Sequence, residues 1–252
     1  LARKYRPKRF SELIGQESVH QALTNSVKLG RVPSGILFSG TRGVGKTTLS
    51  RLFSQALNCD KGPTPEPCGV CLSCRSIAES RHEDVLEIDG ASHNGVEQIR
   101  LLTETASYAT QRSSYRVYII DEVHMLSVSA FNALLKTLEE PPKKVVFIFA
   151  TTELRKIPKT IESRCQVFRL QKLTNQLISG RLGEILNEEK IECNQEDLAL
   201  VAKYGQGSLR DALTFLDQVI ALGGGKLCHA VLTKVLGTVD TYQYINLLKS
   251  FS

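Results

Sequence analysis

Apolar runs alternate with amphipathic segments along the first two thirds of the chain. Short apolar runs predict buried strands at residues 36–39, 85–89, 116–122 and 145–150. Segments with helical periodicity predict helices at residues 17–29, 46–58, 95–108 and 127–138. Strands that alternate with helices in this way are typical of an α/β fold, in which helices cover both faces of a parallel sheet.

The strand signals stop after about residue 171. Four helical segments follow, at residues 174–188, 194–204, 208–222 and 226–236. The pattern therefore predicts an α/β domain over residues 1–171, a small all-helical domain over 172–236 and the start of a further domain at 237–252.

A glycine-rich motif joins the first predicted strand to the helix that follows it. Residues 40–47 read Gly-Thr-Arg-Gly-Val-Gly-Lys-Thr, a complete G-x-x-x-x-G-K-[ST] phosphate-binding loop in the required strand–loop–helix setting. Its backbone N–H groups and the helix N-terminus suit a phosphate chain. Lys46 is predicted to reach the β- and γ-phosphates, and the Thr47 hydroxyl to ligate Mg²⁺. The alternative is a glycine-rich turn before a helix.

Acidic and hydroxyl side chains follow two other predicted strands. Asp121 and Glu122 end one of them, and the carboxyl end of a strand in a parallel sheet lies at the ligand crevice. We expect Asp121 to hold Mg²⁺ through water and Glu122 to orient and polarise an attacking water. Thr152 follows the run at 145–150, where a hydroxyl can contact a γ-phosphate or its water. A solvated acidic turn and an ordinary strand-end threonine are the alternatives.

Four of the seven cysteines lie in a segment rich in proline and glycine, residues 59–74, which is predicted to form no regular element. Their spacing is C-x8-C-x2-C-x2-C, at Cys59, Cys68, Cys71 and Cys74. This spacing suits tetrahedral Zn²⁺ with Zn–S bonds of about 2.3 Å, and an iron–sulfur cluster is the competing interpretation. Because no general base or open ligand position is evident, we expect a structural site.

Two arginines stand where phosphate contacts are expected. Arg164 follows a short helix bounded by Pro158, and both an arginine finger that reaches a neighbour's γ-phosphate and a plain surface charge suit its position. Arg210 lies in the first turn of a helix that begins after Ser208, where the helix dipole disfavours a positive charge. This local misfit predicts a phosphate contact from the helical domain.

Composition and charge are those of a soluble globular protein. Of the 252 residues, 42% are hydrophobic and 23% are charged, and the net charge of +6 is compatible with a polyanion such as DNA. No apolar run approaches the roughly 20 residues that span a bilayer, and no signal peptide opens the chain. We therefore expect reduced thiols or metal ligands rather than disulfides. The chain ends inside a predicted helix, which favours a fragment of a longer polypeptide.

The chain resembles the gamma/tau subunits of bacterial DNA polymerase III, the AAA+ ATPases of the sliding-clamp loader. Matching segments run in order across most of the chain, at residues 2–7, 15–17, 40–48, 59–74, 87–89, 118–126, 132–142, 150–152, 163–165 and 207–212. The cysteine segment, together with Ser163, Arg164 and Cys165, separates this family from other AAA+ proteins.

The resemblance implies a P-loop AAA+ unit in which ATP lies between the α/β domain and a helical lid. The implied nucleotide-binding residues are Ala2, Arg6, Pro7, Ile14, Gly40, Thr41, Arg42, Gly43, Val44, Gly45, Lys46, Thr47, Thr48, Asp121, Leu209 and Arg210. Glu122 would position the hydrolytic water. Thr152 and Arg210 would be the first and second sensors of the nucleotide. Arg164 would act in trans, completing the site of a neighbouring subunit.

The resemblance also implies partners and a location. Family members assemble with delta and delta-prime subunits and other gamma/tau copies through a collar domain, whose start would be residues 237–252. The assembly acts on the sliding clamp and on the backbone of primed DNA, in the bacterial cytoplasm at the replisome and without a membrane partner. Candidate DNA contacts are Arg100, Lys136 and Lys156.

An ATP-hydrolysing motor subunit that loads the clamp onto primed DNA, and does not itself polymerise, is therefore the expected function. ATP, Mg²⁺ and Zn²⁺ are the expected cofactors. Two other functions stay open. One is a different AAA+ DNA-remodelling ATPase, such as a branch-migration helicase or a helicase loader, which would not need zinc. The other is a non-catalytic scaffold subunit of the loader.

Overall fold

The computed structural model describes residues 1–106, 108, 110 and 113–237. Contacts divide the chain into an α/β unit, Pro7–Gln171, and a helical unit, which joins Leu1–Arg6 to the described residues from Lys172 onward. The predicted start of a collar domain at 237–252 lies outside the described residues, apart from Gly237.

A five-stranded parallel sheet forms the centre of the α/β unit. Its strands are β1 (Gly35–Ser39), β2 (Val85–Asp89), β3 (Arg116–Asp121), β4 (Val145–Thr151) and β5 (Gln166–Arg169). The strand order is β2-β3-β4-β1-β5, and neighbouring strands pair in parallel. The strands β1, β3 and β4 are buried along almost their whole length, which explains their continuous apolar runs in the sequence.

Helices cover both faces of this sheet, which confirms the predicted α/β fold. They are α1 (Glu17–Lys28), α2 (Lys46–Asn58), α3 (Leu72–Ala78), α4 (Val96–Ala106), α5 (Val128–Glu139) and α6 (Lys159–Glu162). Alternate residues of β3 enter two different cores. Val117 and Ile119 pack with α1 and α2, whereas Tyr118 and Ile120 pack with α4 and α5.

Two local elements of the α/β unit differ from the expectation. The strand β5 was not predicted, because among the described residues it pairs only with β1, at the edge of the sheet, and its own residues are exposed or half-buried. The prediction of no regular element over 59–74 is wrong at its end, since α3 begins at Leu72. The sulfur of Cys71 caps α3 by accepting a hydrogen bond from the N–H of Cys74, a role that hydroxyls and carboxylates usually fill.

The helical unit contains α7 (Asn175–Glu188), α8 (Gln195–Tyr204), α9 (Leu209–Leu222) and α10 (His229–Leu236). Side chains of Thr174, Asn194 and Ser208 cap the first three of these helices. None of the helices in the described part of the chain is long and apolar enough to cross a bilayer.

The first six residues belong to the helical unit and not, as expected, to the α/β domain. Lys4 Nζ and the Tyr5 hydroxyl both donate to the Glu189 carboxylate at the end of α7, at 2.6 and 2.7 Å. Their hydrogen bonds lower the pKa of Glu189, so these contacts favour its ionised form. Ala2 and Arg6, which were expected near a nucleotide, therefore lie in the helical unit, whereas Pro7 and Ile14 lie in the α/β unit.

Candidate functional site

The phosphate-loop sequence joins β1 to α2 at the carboxyl edge of the sheet. The loop begins at Gly40, whose N–H donates to the carbonyl of Thr151 at 3.2 Å, and ends at Gly45, the N-cap residue of α2. Gly45 has a φ of 104°, a conformation that a residue with a Cβ rarely adopts. Lys46 and Thr47 consequently occupy the first turn of α2.

The Lys46 side chain is held inside this loop. Lys46 is only 6% exposed, and its Nζ donates to the carbonyls of Gly40 at 2.8 Å and Thr41 at 3.1 Å. Burial lowers the pKa of Lys46, while the carboxylates of Glu122 and Asp121 oppose that shift. The Lys46 ammonium group lies beside the N-terminus of α2, and the dipole of that helix also favours an anion.

The end of β3 brings an acidic residue against the loop. The strand β4 lies between β1 and β3, and its register pairs Thr151 with Ser39 of β1. Across this edge of the sheet, Thr47 Oγ1 donates to Asp121 Oδ2 at 2.7 Å. A hydroxyl and a carboxylate are oxygen donors of the kind that Mg²⁺ prefers, so this pair fits the predicted metal position.

Glu122 follows in a strained turn. Its φ of 45° is in the left-handed region, which is costly for a residue other than glycine. The turn also needs Gly90 beside it, because a Cβ there would lie 2.8 Å from the Glu122 carbonyl oxygen. In this conformation the Glu122 carboxylate accepts a hydrogen bond from Thr152 Oγ1 at 3.1 Å. Two residues that were predicted separately for the site are thus in direct contact.

His124 belongs to the same cluster, although no role was predicted for it. Its side chain is 7% exposed, and its Nδ1 lies 3.1 Å from Thr151 Oγ1 and 3.4 Å from Glu122 Oε2. Its Nε2 lies 3.4 Å from Glu153 Oε1. The imidazole therefore stands between two carboxylates and restricts where Glu122 can move. Its position two residues after Asp-Glu was the available signal, but its contacts depend on the packing of β4 beside β3.

A cavity of about 310 Å³ opens at the ends of β2 and β3. It is lined by Ser80, Glu87, Ile88, Asp89, Asp121 and Glu122. Asp89 is the register partner of Asp121, so carboxylates of neighbouring strands face the same space. Hydrogen bonds from Ser92 and the Ala91 N–H lower the pKa of Asp89 and favour its ionised form.

The four cysteines predicted as metal ligands converge in space. Their sulfur atoms all lie within 4.8 Å of one another, and a tetrahedral site with 2.3 Å bonds needs S···S separations of about 3.8 Å. The N–H groups of Val70 and Cys71 lower the pKa of Cys68 to about 6, which favours the thiolate. Burial raises the pKa of Cys74. A convergent set of sulfur donors fits the predicted metal.

Arg164 lies in the turn between α6 and β5, on the surface of the α/β unit. Its Nη1 donates to the Thr160 carbonyl at 2.7 Å, and its Nη2 forms an ion pair with Glu139 at the end of α5. The side chain is 31% exposed. Its role as an arginine finger stays a prediction, because it concerns a second subunit.

The three candidate DNA contacts are surface cations. Arg100 pairs with Glu97 at 3.1 Å, and Lys156 pairs with Glu153 at 2.9 Å. Lys136 is exposed on α5. Exposed ion pairs of this kind contribute little stability, and the DNA-binding role of these residues stays a prediction.

Leu209 and Arg210 belong to the helical unit. As predicted, the Ser208 hydroxyl caps α9, accepting a hydrogen bond from the Asp211 N–H at 3.2 Å. Arg210 is exposed in the first turn of that helix. The contribution of both residues to nucleotide binding stays a prediction.

Two family models, both described as DNA polymerase III subunits, match the two units of the chain. A family model described as "DNA polymerase III, delta subunit" matches residues 15–174, and one described as "DNA polymerase III clamp loader subunit, ATPase lid domain" matches residues 177–225. DNA polymerase III subunit tau of Escherichia coli K12 is 50% identical over 250 residues, which cover 99% of this chain and 39% of that protein. DNA polymerase III subunit gamma of Buchnera aphidicola from Acyrthosiphon pisum is 45% identical, over 97% of this chain and 68% of that protein. The chain thus spans about two fifths of the length of the E. coli subunit.

Solved structures with a similar fold extend this comparison. The Holliday junction branch migration motor RuvB of Thermotoga maritima has a TM-score of 0.68 and 18% identity, over 94% of this chain and 76% of that one. At this identity the likeness concerns the fold alone, a P-loop α/β unit followed by helices.

Proposed function

The chain belongs to the DNA polymerase III gamma/tau family, and we propose on that premise that it is an ATP-hydrolysing motor subunit of the clamp loader. Its proposed task is to load the sliding clamp onto primed DNA, while the polymerising activity resides elsewhere. The observation that carries the proposal is the pair of contacts Thr47–Asp121 and Thr152–Glu122 beside the phosphate loop. The first contact places oxygen donors for a cation beside the phosphate loop. The second fixes the Glu122 carboxylate at the same edge of the sheet.

The candidate site residues of the α/β unit each have a proposed role in hydrolysis. The loop N–H groups and Lys46 bind the β- and γ-phosphates of ATP, and Thr47 and Asp121 hold Mg²⁺. When bound there, Mg²⁺ would neutralise part of the negative charge of the phosphates. Glu122 accepts a hydrogen bond from the attacking water and orients it, and the Thr152 hydroxyl holds the carboxylate in place.

Two arginines extend this site in the proposal. Arg164 acts in trans on a neighbouring subunit's nucleotide, for which its surface position is suited. Arg210 acts on the nucleotide from the helical unit, together with Leu209. A single chain would then bind ATP but hydrolyse it slowly, because the arginine that completes its site comes from a neighbouring subunit.

The proposed partners follow from the same family. They are delta and delta-prime subunits, further gamma/tau copies, the sliding clamp and primed DNA. The DNA contacts are to the phosphate backbone, with Arg100, Lys136 and Lys156 as candidates, because lysine and arginine bind phosphate without reading bases.

We propose Zn²⁺ for the four-cysteine cluster. Cys59, Cys68, Cys71 and Cys74 would hold it as thiolates, and it would cross-link a segment that has a seven-residue helix and little core of its own. Metal analysis of the purified full-length protein should find one zinc per chain. Absence of zinc, or the visible absorption of an iron–sulfur cluster, would contradict this assignment.

The central experiment measures ATP hydrolysis by the assembled loader, with full-length protein, delta and delta-prime. Clamp and primed DNA together should stimulate turnover, and Lys46→Ala should abolish the stimulation. The control Lys28→Ala changes a lysine at the end of α1, away from the phosphate loop, and should behave as the unmodified protein. A rate of ATP hydrolysis that clamp and primed DNA together do not raise would contradict the loader function.

A further inference from the structure

The phosphate-loop helix and the cysteine cluster are parts of one packed unit. The helix α2 carries Lys46 in its first turn and ends one residue before Cys59, which is its C-cap. Beside it lies α3, whose N-cap is Cys71 and whose first turn contains Cys74. A seven-residue helix is too short to be stable alone, so its position depends on the cysteine segment and on contacts with α2.

A buried hydrogen bond joins the two helices in the C-terminal half of α2. Gln55 Nε2 donates to the main-chain carbonyl of Cys74 at 2.8 Å. Gln55 is 4% exposed and Cys74 is fully buried, so water cannot replace this contact. Moving Cys74 away would leave a buried amide donor without its acceptor, which is costly.

An arginine one helical turn closer to the phosphate loop makes a second connection. Arg51 Nε and Nη2 both donate to the Glu87 carboxylate of β2 at 2.8 Å, and Nη1 donates to the carbonyl of Ala78 at 3.0 Å. Ala78 is the last residue of α3, where the helix dipole also favours a cation. One planar guanidinium therefore ties α2 to β2 and to the end of α3.

The second connection reaches the candidate nucleotide site. Arg51 follows Thr47 by one turn of α2. Its partner Glu87 lines the 310 Å³ cavity together with Asp121 and Glu122. A shift of α3 would release one arm of Arg51, and both the phosphate-loop helix and the acidic wall of the cavity would lose a fixed partner.

We propose that Arg51 and Gln55 are positioning residues that couple metal binding at the four cysteines to nucleotide binding at the phosphate loop. The inference rests on the proposed ATP and zinc sites. A metal held by the four cysteines would fix α3, so that the carbonyls of Cys74 and Ala78 hold Gln55 and Arg51, and these two side chains hold α2 in its binding geometry. Because such coupling is reciprocal, nucleotide must raise the affinity for metal by the same factor.

The test uses the full-length chain under reducing conditions, with zinc bound and after removal of zinc by a chelator. Titration with a fluorescent ATP analogue should give at least about fivefold weaker binding without zinc, the lower end of couplings between linked sites. Chelator competition should show that the analogue raises zinc affinity by the same factor. Because reciprocity holds for any coupling between two binding sites, this pair of titrations measures the coupling, and the variants test the part that Arg51 and Gln55 play in it.

Variants locate the coupling without removing the metal. With zinc bound, Arg51→Lys and Gln55→Leu should keep one zinc per chain yet weaken nucleotide binding towards the zinc-free value. The matched control Arg75→Lys, at an exposed position on α3, should retain the affinity and the full coupling factor. Equal nucleotide affinities with and without zinc, or full coupling in both variants, would overturn this inference and leave the proposed ATP site standing. Failure of the analogue to bind in any form would instead overturn the proposed ATP site and the inference with it.

Discussion

Replacing Asn58 by alanine should destabilise the α/β unit, because Asn58 fastens the end of the phosphate-loop helix to the entry of β3. Its Nδ2 donates to the Tyr115 carbonyl at 2.9 Å, and its Oδ1 accepts from the Tyr115 N–H at 2.8 Å. Asn58 is 4% exposed, so solvent does not substitute for the amide at the helix end. The change removes both bonds at once.

The size of the effect follows from these two bonds. A buried polar group that loses its partner costs about 1–3 kcal/mol, and Tyr115 is half-buried, so the two losses together come to about 2–4 kcal/mol. The better helix propensity of alanine returns about 0.5 kcal/mol. The free energy of unfolding should therefore fall by about 1.5–3.5 kcal/mol.

Urea unfolding of the whole chain, followed by circular dichroism, measures this loss. The matched control is Asn25→Ala on the exposed face of α1, which should change the free energy of unfolding by no more than about 0.5 kcal/mol. A loss below about 1 kcal/mol in Asn58→Ala, with the denaturant slope unchanged, would refute the assignment of two buried bonds.

Changes at other residues separate binding, turnover and stability. Glu122→Gln should retain ATP affinity and slow turnover by roughly 10²–10⁴-fold; weaker binding in a nucleotide titration would contradict its role at the water. Arg164→Ala should leave ATP binding by the chain intact and lower DNA-stimulated turnover of the loader by roughly 10³-fold or more. Loss of binding in that variant would mean that Arg164 acts within its own chain. Arg210→Ala should weaken ATP affinity, and an unchanged titration curve would remove it from the site. Burial lowers the pKa of His82, whose Nδ1 accepts the Asp84 N–H at 3.1 Å, so the folded state favours the neutral ring. The unfolded chain then binds the extra proton, and stability should fall as pH drops below about 6.5. His82→Gln should flatten this fall, and an unaltered pH profile would contradict it.

Elements whose chemistry demands a local pattern were predictable. The phosphate loop needs glycines, lysine and threonine at set intervals, and its helix begins at Lys46 as its spacing indicates. Buried parallel strands such as β3 and β4 need continuous apolar runs. The edge strand β5 has no such requirement, because it is paired on one side only, and it escaped prediction. The start of α3 escaped because its cap is a sulfur.

The sequence by itself determined which motifs are present and in what kind of fold. The motifs are a phosphate loop, an acidic strand end and a cysteine cluster, and the fold is an α/β region followed by helices. Only the tertiary structure decided which of them touch. Thr47 meets Asp121 across 74 positions, and Thr152 meets Glu122 across 30. The physical reason is that periodicity along a chain reports burial within one element, whereas contacts between elements depend on strand order and register. Those are set by the packing of the whole sheet, which also holds Glu122 in its left-handed turn and places Arg51 between β2 and α3.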